Sequence, residues 1–369
     1  MSQFQHNYDS FFESYSPNKQ KQQPQRQNNY KRTKKKKRHL KPWVKLGFAV
    51  IALTLIVVLI SANISKCSNV PLTIGSPSST ISLTSTEQVT VKPVVENASP
   101  ASYTITLGSQ IDSSHAVLVE TDSNTILAQR NANSIIYPAS MTKVMTLLVA
   151  VEEIESSNSK SYQDLFKMTS AIIDPLYREA ATLCGFSPNE EVTIKDMLYG
   201  MILESGAEAA VGLAIYIAGS EEEFVELMNQ KANELKLKDT HFTNVSGLHS
   251  AEHYTTCVEM ATIMNAAISN EFCREVLSTE YYTVKANSFH EDLNFHSTMF
   301  SRMYGTEPKV ATILGGKTGY TIVSGNCLVS YAKTDDNREI ICVTAEGGGK
   351  YIPIYDCIKL YKEYSHIEK

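Results

Sequence analysis

Residues 116–146 read AVLVETDSNTILAQRNANSIIYPASMTKVMT, and a change of period inside them decides the class of fold. Two apolar runs of strand type, HAVLVET and TILAQR, flank Asp122-Ser123-Asn124, a turn-forming triplet, so they predict an antiparallel hairpin. From Met141 the pattern becomes helical, with Val144, Leu147, Leu148, Val151 and Ile154 at three- and four-residue spacing. At the other end of the chain NCLVSYAK and EIICVTAE read as strands around Asp335-Asp336-Asn337, and a last helix is predicted from about Ile354. Between the two hairpins the signals are helical. Thr193 with Asp196, Ser220 with Glu223 and Thr256 with Glu259 each look like the start of a helix. Strands at both ends and helices between them predict an α+β body whose terminal strands meet in one antiparallel sheet.

Charge divides the 369 residues unevenly. Residues 1–45 carry 12 of the 34 Lys and Arg but only two of the 39 acids, leaving 22 bases against 37 acids beyond. Leu46–Ile64 (LGFAVIALTLIVVLISANI) follows with no charge, and at 1.5 Å per residue it spans about 28 Å, enough for the hydrocarbon core of a bilayer. Trp43 sits where an interfacial anchor would. The positive-inside rule then places residues 1–45 in the cytoplasm, as a basic and largely disordered tail, and the remainder outside. A cleaved signal peptide fits less well, because 45 residues precede the apolar run and Ile60-Ser61-Ala62 is a poor cleavage site. The basic run is read as a topology signal rather than a nucleic-acid site. Residues 65–102, rich in Ser, Thr, Pro and Val, predict an extended extracytoplasmic linker, and residues 103–369 the folded body. Seven cysteines, an odd number without a C-x-x-C pair, define no disulfide framework and would suit a reducing or anaerobic habitat.

Three short motifs carry chemistry. Ser140-Met141-Thr142-Lys143 is an S-x-x-K at the start of the first helix, where residues one turn apart share a face and the Lys amine reaches the Ser hydroxyl. A helix start adds positive potential for an oxyanion, and a desolvated Lys beside a second cation can act as base to a serine. The same pattern at Ser16–Lys19, Ser157–Lys160 and Ser330–Lys333 lacks that context. The second cation is Lys317 in Gly316-Lys317-Thr318-Gly319-Tyr320, the single K-T-G of the chain, which is predicted to open a strand. Lys317 can hold a carboxylate and lower the pKa of Lys143 by repulsion, Thr318 can bond the same carboxylate, and Gly319 lets a substrate backbone approach the strand. Between them, Leu203-Glu204-Ser205-Gly206-Ala207 joins two helices; it is either a plain connector or a turn that puts Ser205 beside Lys143 as a proton relay.

In this order the motifs resemble the S-x-x-K, S-x-N and K-T-G set of penicillin-binding proteins and β-lactamases. The surrounding text is similar to the serine D-alanyl-D-alanine carboxypeptidases over about residues 105–365: the opening stretch above, then GFSPNEEVTIKDMLYGMILESGAEAA, GSEEEFVELMNQKANELKLKDTHFTNVSGLH and GGKTGYTIVSGNCLVSYA. The resemblance implies a helical subdomain beside a five-stranded antiparallel sheet flanked by helices, with the site in the cleft between them. It implies Ser140 as acylated nucleophile, Lys143 as base and Ser205 as relay to the leaving amine. Lys317 and Thr318 would grip the terminal carboxylate, and the backbone N–H groups of Ser140 and Tyr320 would form the oxyanion hole. The substrate would be a peptidoglycan stem peptide and β-lactams covalent inhibitors, with no metal or organic cofactor. Two departures are expected. Ala207 stands where the family's Asn usually does, and the C-terminal β domain and tail anchor of many relatives are absent, the N-terminal helix taking the anchor's place.

Three other readings use the same residues. His249-Ser250-Ala251-Glu252-His253 is a literal H-x-x-E-H, but it falls in a predicted loop and not on one helical face. A class A β-lactamase needs a Glu four residues before an Asn such as Asn229, where Val225 stands. A catalytically weak, wall-binding module that kept the fold is the third.

Overall fold

The computed structural model describes residues 96–306 and 308–366. The basic tail, the apolar run 46–64 and most of the expected linker lie outside these residues. Among the described residues no helix is long and apolar enough to cross a membrane.

A six-stranded sheet forms one layer. Its strands are β1 (Ser99–Thr106), β2 (His115–Glu120), β3 (Thr125–Arg130), β4 (Ala311–Thr321), β5 (Gly325–Thr334) and β6 (Glu339–Gly347), in the order β1-β3-β2-β6-β5-β4. The five strands from β3 to β4 are antiparallel. The sixth, β1, pairs parallel with β3 and corrects the expectation of five antiparallel strands. It begins at Ser99, inside the stretch read as linker, because Ser/Thr-rich residues without an apolar period carry no strand signal of their own and are recruited by the open edge of β3. The terminal hairpins meet as expected, with Ile341 opposite Val119.

Alternation along the strands covers both faces of the sheet. Val117, Val119, Val329 and Val343 point into the larger core with the helical subdomain, while Ala116, Leu118, Leu328 and Cys342 face a second core. The helices are α1 (Lys143–Ser156), α2 (Ser170–Arg178), α3 (Ile194–Leu203), α4 (Ala207–Ala218), α5 (Glu221–Glu234), α6 (Cys257–Ile268), α7 (Glu271–Ser278), α8 (Thr298–Met303) and α9 (Ile352–Tyr364). The second core is closed by Ile354, Cys357, Leu360 and Tyr361 of α9. Each expected cap is made: Thr193, Ser220 and Thr256 accept from the N–H groups of Asp196 (3.0 Å), Glu223 (3.1 Å) and Glu259 (3.1 Å). The six described cysteines are buried and unpaired as disulfides.

Candidate active site

The site is built where the N-terminus of α1 meets β4. Ser140 lies not in α1 itself but in a 3₁₀ turn, Ala139–Thr142, that leads into it, with Met141 N–H donating to Pro138 O at 3.1 Å. Ala139 is held at φ 47°, a left-handed conformation that is strained for a residue with a Cβ. Two glycines make that turn possible by close approach. A Cβ on Gly319 would stand 2.8 Å from Pro138 O and 3.1 Å from Ser140 N. A Cβ on Gly247, which has φ +84°, would stand 1.9 Å from Ala139 O. Gly319 therefore packs against the serine's own backbone, a tighter demand than the substrate clearance read from the sequence.

Lys143 is the first residue of α1 and is buried. Its Nζ donates to Ser140 Oγ at 3.2 Å and to the carbonyl of Ser246 at 2.6 Å. The Asn244–Leu248 loop that supplies this carbonyl is closed by Asn244, which accepts from Gly247 N–H (2.7 Å) and donates to Leu248 O (2.8 Å). Burial brings the Lys143 amine down to about 7, against opposing pushes from Glu208 and Cys184. Desolvation, rather than the expected repulsion by Lys317, is the leading cause. Repulsion does act on the partner: Lys317 is held well below the usual lysine range by burial first, then by Lys143 and Arg302.

Lys317 and Thr318 lie late in β4, six and seven residues after its first residue, so the K-T-G does not open the strand as expected. The run 311–316 carries Gly315 and Gly316, poor strand formers, which hid the earlier start. Pairing with β5 places Lys317 opposite Val329 and Gly319 opposite Cys327. Lys317 Nζ donates to Thr318 O at 3.1 Å, and Thr318 Oγ1 is 2.9 Å from Thr298 Oγ1 on α8. Tyr320 is exposed at the strand's end.

Ser205 sits in the turn between α3 and α4, buried and at φ 65°. Its hydroxyl makes no hydrogen bond among the described residues, to Lys143 or to any other group. Ala207, also buried, donates its N–H to Thr182 O at 2.8 Å.

Three residues were not singled out from the sequence. Arg302 on α8 is half-buried, has no carboxylate partner among the described residues, and its charge bears on Lys317. Glu208 is fully buried in the first turn of α4. Ser246 contributes only a carbonyl, which no side-chain pattern can announce. The other readings meet plain geometry. His253 is buried in a loop ahead of α6, its Nδ1 accepting from Thr243 N–H at 3.1 Å and its Nε2 meeting Thr142 Oγ1 at 2.8 Å. Burial and neighbouring positive groups push it down to about 4, so it is neutral. Asn229 holds Phe242 through two 2.9 Å backbone bonds, a structural task. Ser330 is buried against Tyr361 at 3.0 Å, and Ser157 lies on the surface.

A hydroxyl beside a buried amine near neutrality, with a second buried lysine close enough to feel that amine's charge, has the parts of nucleophilic acyl transfer to an anionic substrate. The chain belongs to the D-alanyl-D-alanine carboxypeptidase family, whose model matches residues 95–347. It is 35% identical over 232 residues to D-alanyl-D-alanine carboxypeptidase DacF of Bacillus subtilis, covering 62% of this chain and 56% of that one. Against DacA of Escherichia coli K12 it is 31% identical over 241 residues, covering 63% and 56%. The chain thus spans about half the length of the curated relatives it matches. Among solved structures, the Streptomyces K15 DD-transpeptidase aligns with a TM-score of 0.61 at 21% identity, over 69% of this chain and 97% of that one. Penicillin binding protein 5 from Haemophilus influenzae aligns at 0.62 and 24%, over 70% and 72%. At these identities the likeness is one of fold.

Proposed function

We propose that the protein is a membrane-anchored serine D-alanyl-D-alanine carboxypeptidase that removes the terminal D-Ala from peptidoglycan stem peptides. The observation that carries this is the Lys143 Nζ–Ser140 Oγ bond of 3.2 Å on an amine brought to about 7. At neutral pH a substantial fraction of Lys143 is then unprotonated and can take the Ser140 proton. Ser140 Oγ bonds to the carbonyl carbon of the penultimate D-Ala, and the developing oxyanion lies against the N–H groups of Ser140 and Tyr320. The C–N bond breaks as a proton passes from Lys143, by way of Ser205, to the amine of the departing D-Ala. Water then hydrolyses the acyl-enzyme with Lys143 again as base. Lys317 and Thr318 take the terminal carboxylate, and Arg302 adds a second positive charge on that side of the cleft. A β-lactam enters the same path and stalls at the acyl-enzyme.

The position of the body follows from the charge asymmetry: residues 1–45 in the cytoplasm, 46–64 across the membrane, and the catalytic body outside on its linker. Mass spectrometry of the full chain in detergent after benzylpenicillin tests the chemistry. A single adduct on Ser140 is expected, and an adduct on Ser157 or Ser330, or none, overturns the assignment. Protease added to intact cells tests the topology. It should remove the body and spare an N-terminal tag, whereas mature protein beginning near Ser65 would contradict the anchor.

A further inference from the structure

Glu208 is a buried carboxylate for which the acylation chemistry above has no use. A charge taken out of water is costly unless hydrogen bonds and a counter-ion compensate it. Its Oε1 is well served, accepting from the N–H groups of Cys184 at 2.7 Å and Gly185 at 2.9 Å. Its Oε2 is equally buried and has no partner among the described residues. With the bond from Ala207 N–H to Thr182 O, the Oε1 pair ties the Thr182–Gly185 segment to the turn that holds Ser205 in its left-handed conformation. The first turn of α4 contributes partial positive charge, which favours a carboxylate there but does not neutralise it.

Among the described residues Glu208 makes no ion pair, and Lys143 is a buried cation on which its charge bears. Ser140 Oγ and Ser246 O accept from it. From the loop ahead of α6, His253 is neutral, pushed down to about 4. From the 182–185 segment, Cys184 is a neutral thiol, since burial and Glu208 raise it well above the usual range. From β4, Lys317 repels. Glu208 is the anion whose charge bears on Lys143 among the described residues.

We propose that Glu208 is a positioning residue with two separable jobs: Oε1 holds the Ser205 turn, and the carboxylate charge favours the protonated form of Lys143 and so sets the pH at which it becomes a base. The second job rests on Lys143 being the base of the acylation proposed above. Because both backbone bonds end on Oε1, Glu208→Gln can keep them and remove only the charge. Loss of that charge makes the lysine proton easier to lose, so the lysine titrates at lower pH.

The test follows the rate of Ser140 acylation by benzylpenicillin from about pH 5 to pH 9, with the ¹³Cε resonance of Lys143 titrated in parallel. Glu208→Gln should move both midpoints to lower pH by about one unit. Glu208→Asp, which keeps the charge but shortens the reach to the 182–185 segment, should titrate as the parent does while acylating more slowly. A Glu208→Gln midpoint equal to or above the parent's overturns the role of the charge, and so does a Glu208→Asp midpoint that drops with the rate. Should the parent fail to acylate at any pH, the functional reading fails. The ¹³Cε titration then decides the charge coupling on its own.

Discussion

The two walls of the site, the start of α1 and the late part of β4, each present a buried lysine, and the lysines are held differently. On the helical wall Lys143 has two acceptors at 3.2 and 2.6 Å and the Glu208 charge behind it. On the strand wall Lys317 has, among the described residues, a single bond, to the carbonyl of the next residue, and feels two cations, Lys143 and Arg302, against one anion, Glu204. Both are depressed by burial, but the consequences are opposite. Lys143 is fixed in direction and poised between its two protonation states, as a base must be. Lys317 keeps unspent donors and sits where the charges of Lys143 and Arg302 outweigh the opposing charge of Glu204, which suits a binder of an incoming carboxylate. In the proposed reading the same residue type performs two tasks because the walls supply different partners.

The largest way to break the contrast is at the helical wall. Ser140→Ala should abolish penicillin labelling and lower D-Ala release about a thousandfold or more, since nucleophile and base act as one unit. Lys143→Ala should match it within a small factor; a much milder loss would deny Lys143 the role of base. At the strand wall, Lys317→Ala should lower kcat/KM on a D-Ala-D-Ala peptide about 10- to 150-fold, the range of a lost charge-assisted bond. The same substitution should leave a peptide ending in a carboxamide almost unaffected. Equal losses on both peptides would show that Lys317 acts on the base and not on the carboxylate.

Titration separates the walls further. Lys143 must be neutral and Lys317 charged, so kcat/KM should fall about tenfold for each pH unit below a midpoint of about 7 as Lys143 gains its proton. An alkaline limb should appear below the ordinary lysine range as Lys317 loses its own. A profile flat down to the carboxylate range would remove Lys143 as the titrating base.

The sequence announced what depends on period and side-chain type. Both terminal hairpins, the helix from 143 and the three caps were legible because alternation, three-to-four spacing and Thr or Ser ahead of an acid are local signals. Ser140, Lys143 and Lys317 were legible from motif and order. What stayed hidden depends on contacts made by the fold. β1 has no apolar alternation and owes its strand form to the edge of β3. The early start of β4 was masked by Gly315 and Gly316. The Ser246 carbonyl and the Gly247 approach to Ala139 belong to a backbone that only the closed loop defines. Arg302 and Glu208 are charged residues among many, and burial alone separates them from the surface. Burial also ranked the causes: of the desolvation and repulsion expected at Lys143, desolvation leads and Lys317 does not figure among the pushes on its amine.

The smallest predicted effect lies at Ala207, the position at which the resemblance leads one to expect an Asn. An Asn amide at this position would accept from Lys143 and donate to the substrate's acyl-amide carbonyl. One such bond is worth about 1–3 kcal/mol when a site is built for it. Ala207 is only 2% exposed and its N–H is committed to Thr182 O at 2.8 Å, so a larger side chain must displace neighbours rather than enter open space. Overpacking of this kind destabilises by about 1–3 kcal/mol. The gain in rate and the loss in packing therefore oppose one another. Ala207→Asn should raise kcat/KM about fivefold, the lower end of the bond's range, with a lower urea midpoint and penicillin labelling still on Ser140. If a folded variant gives unchanged or lower kcat/KM, the helical wall already supplies what the missing amide would. The buried Oε2 of Glu208, without a partner among the described residues and one residue along the same turn, would be the first group to test for that substitution of roles.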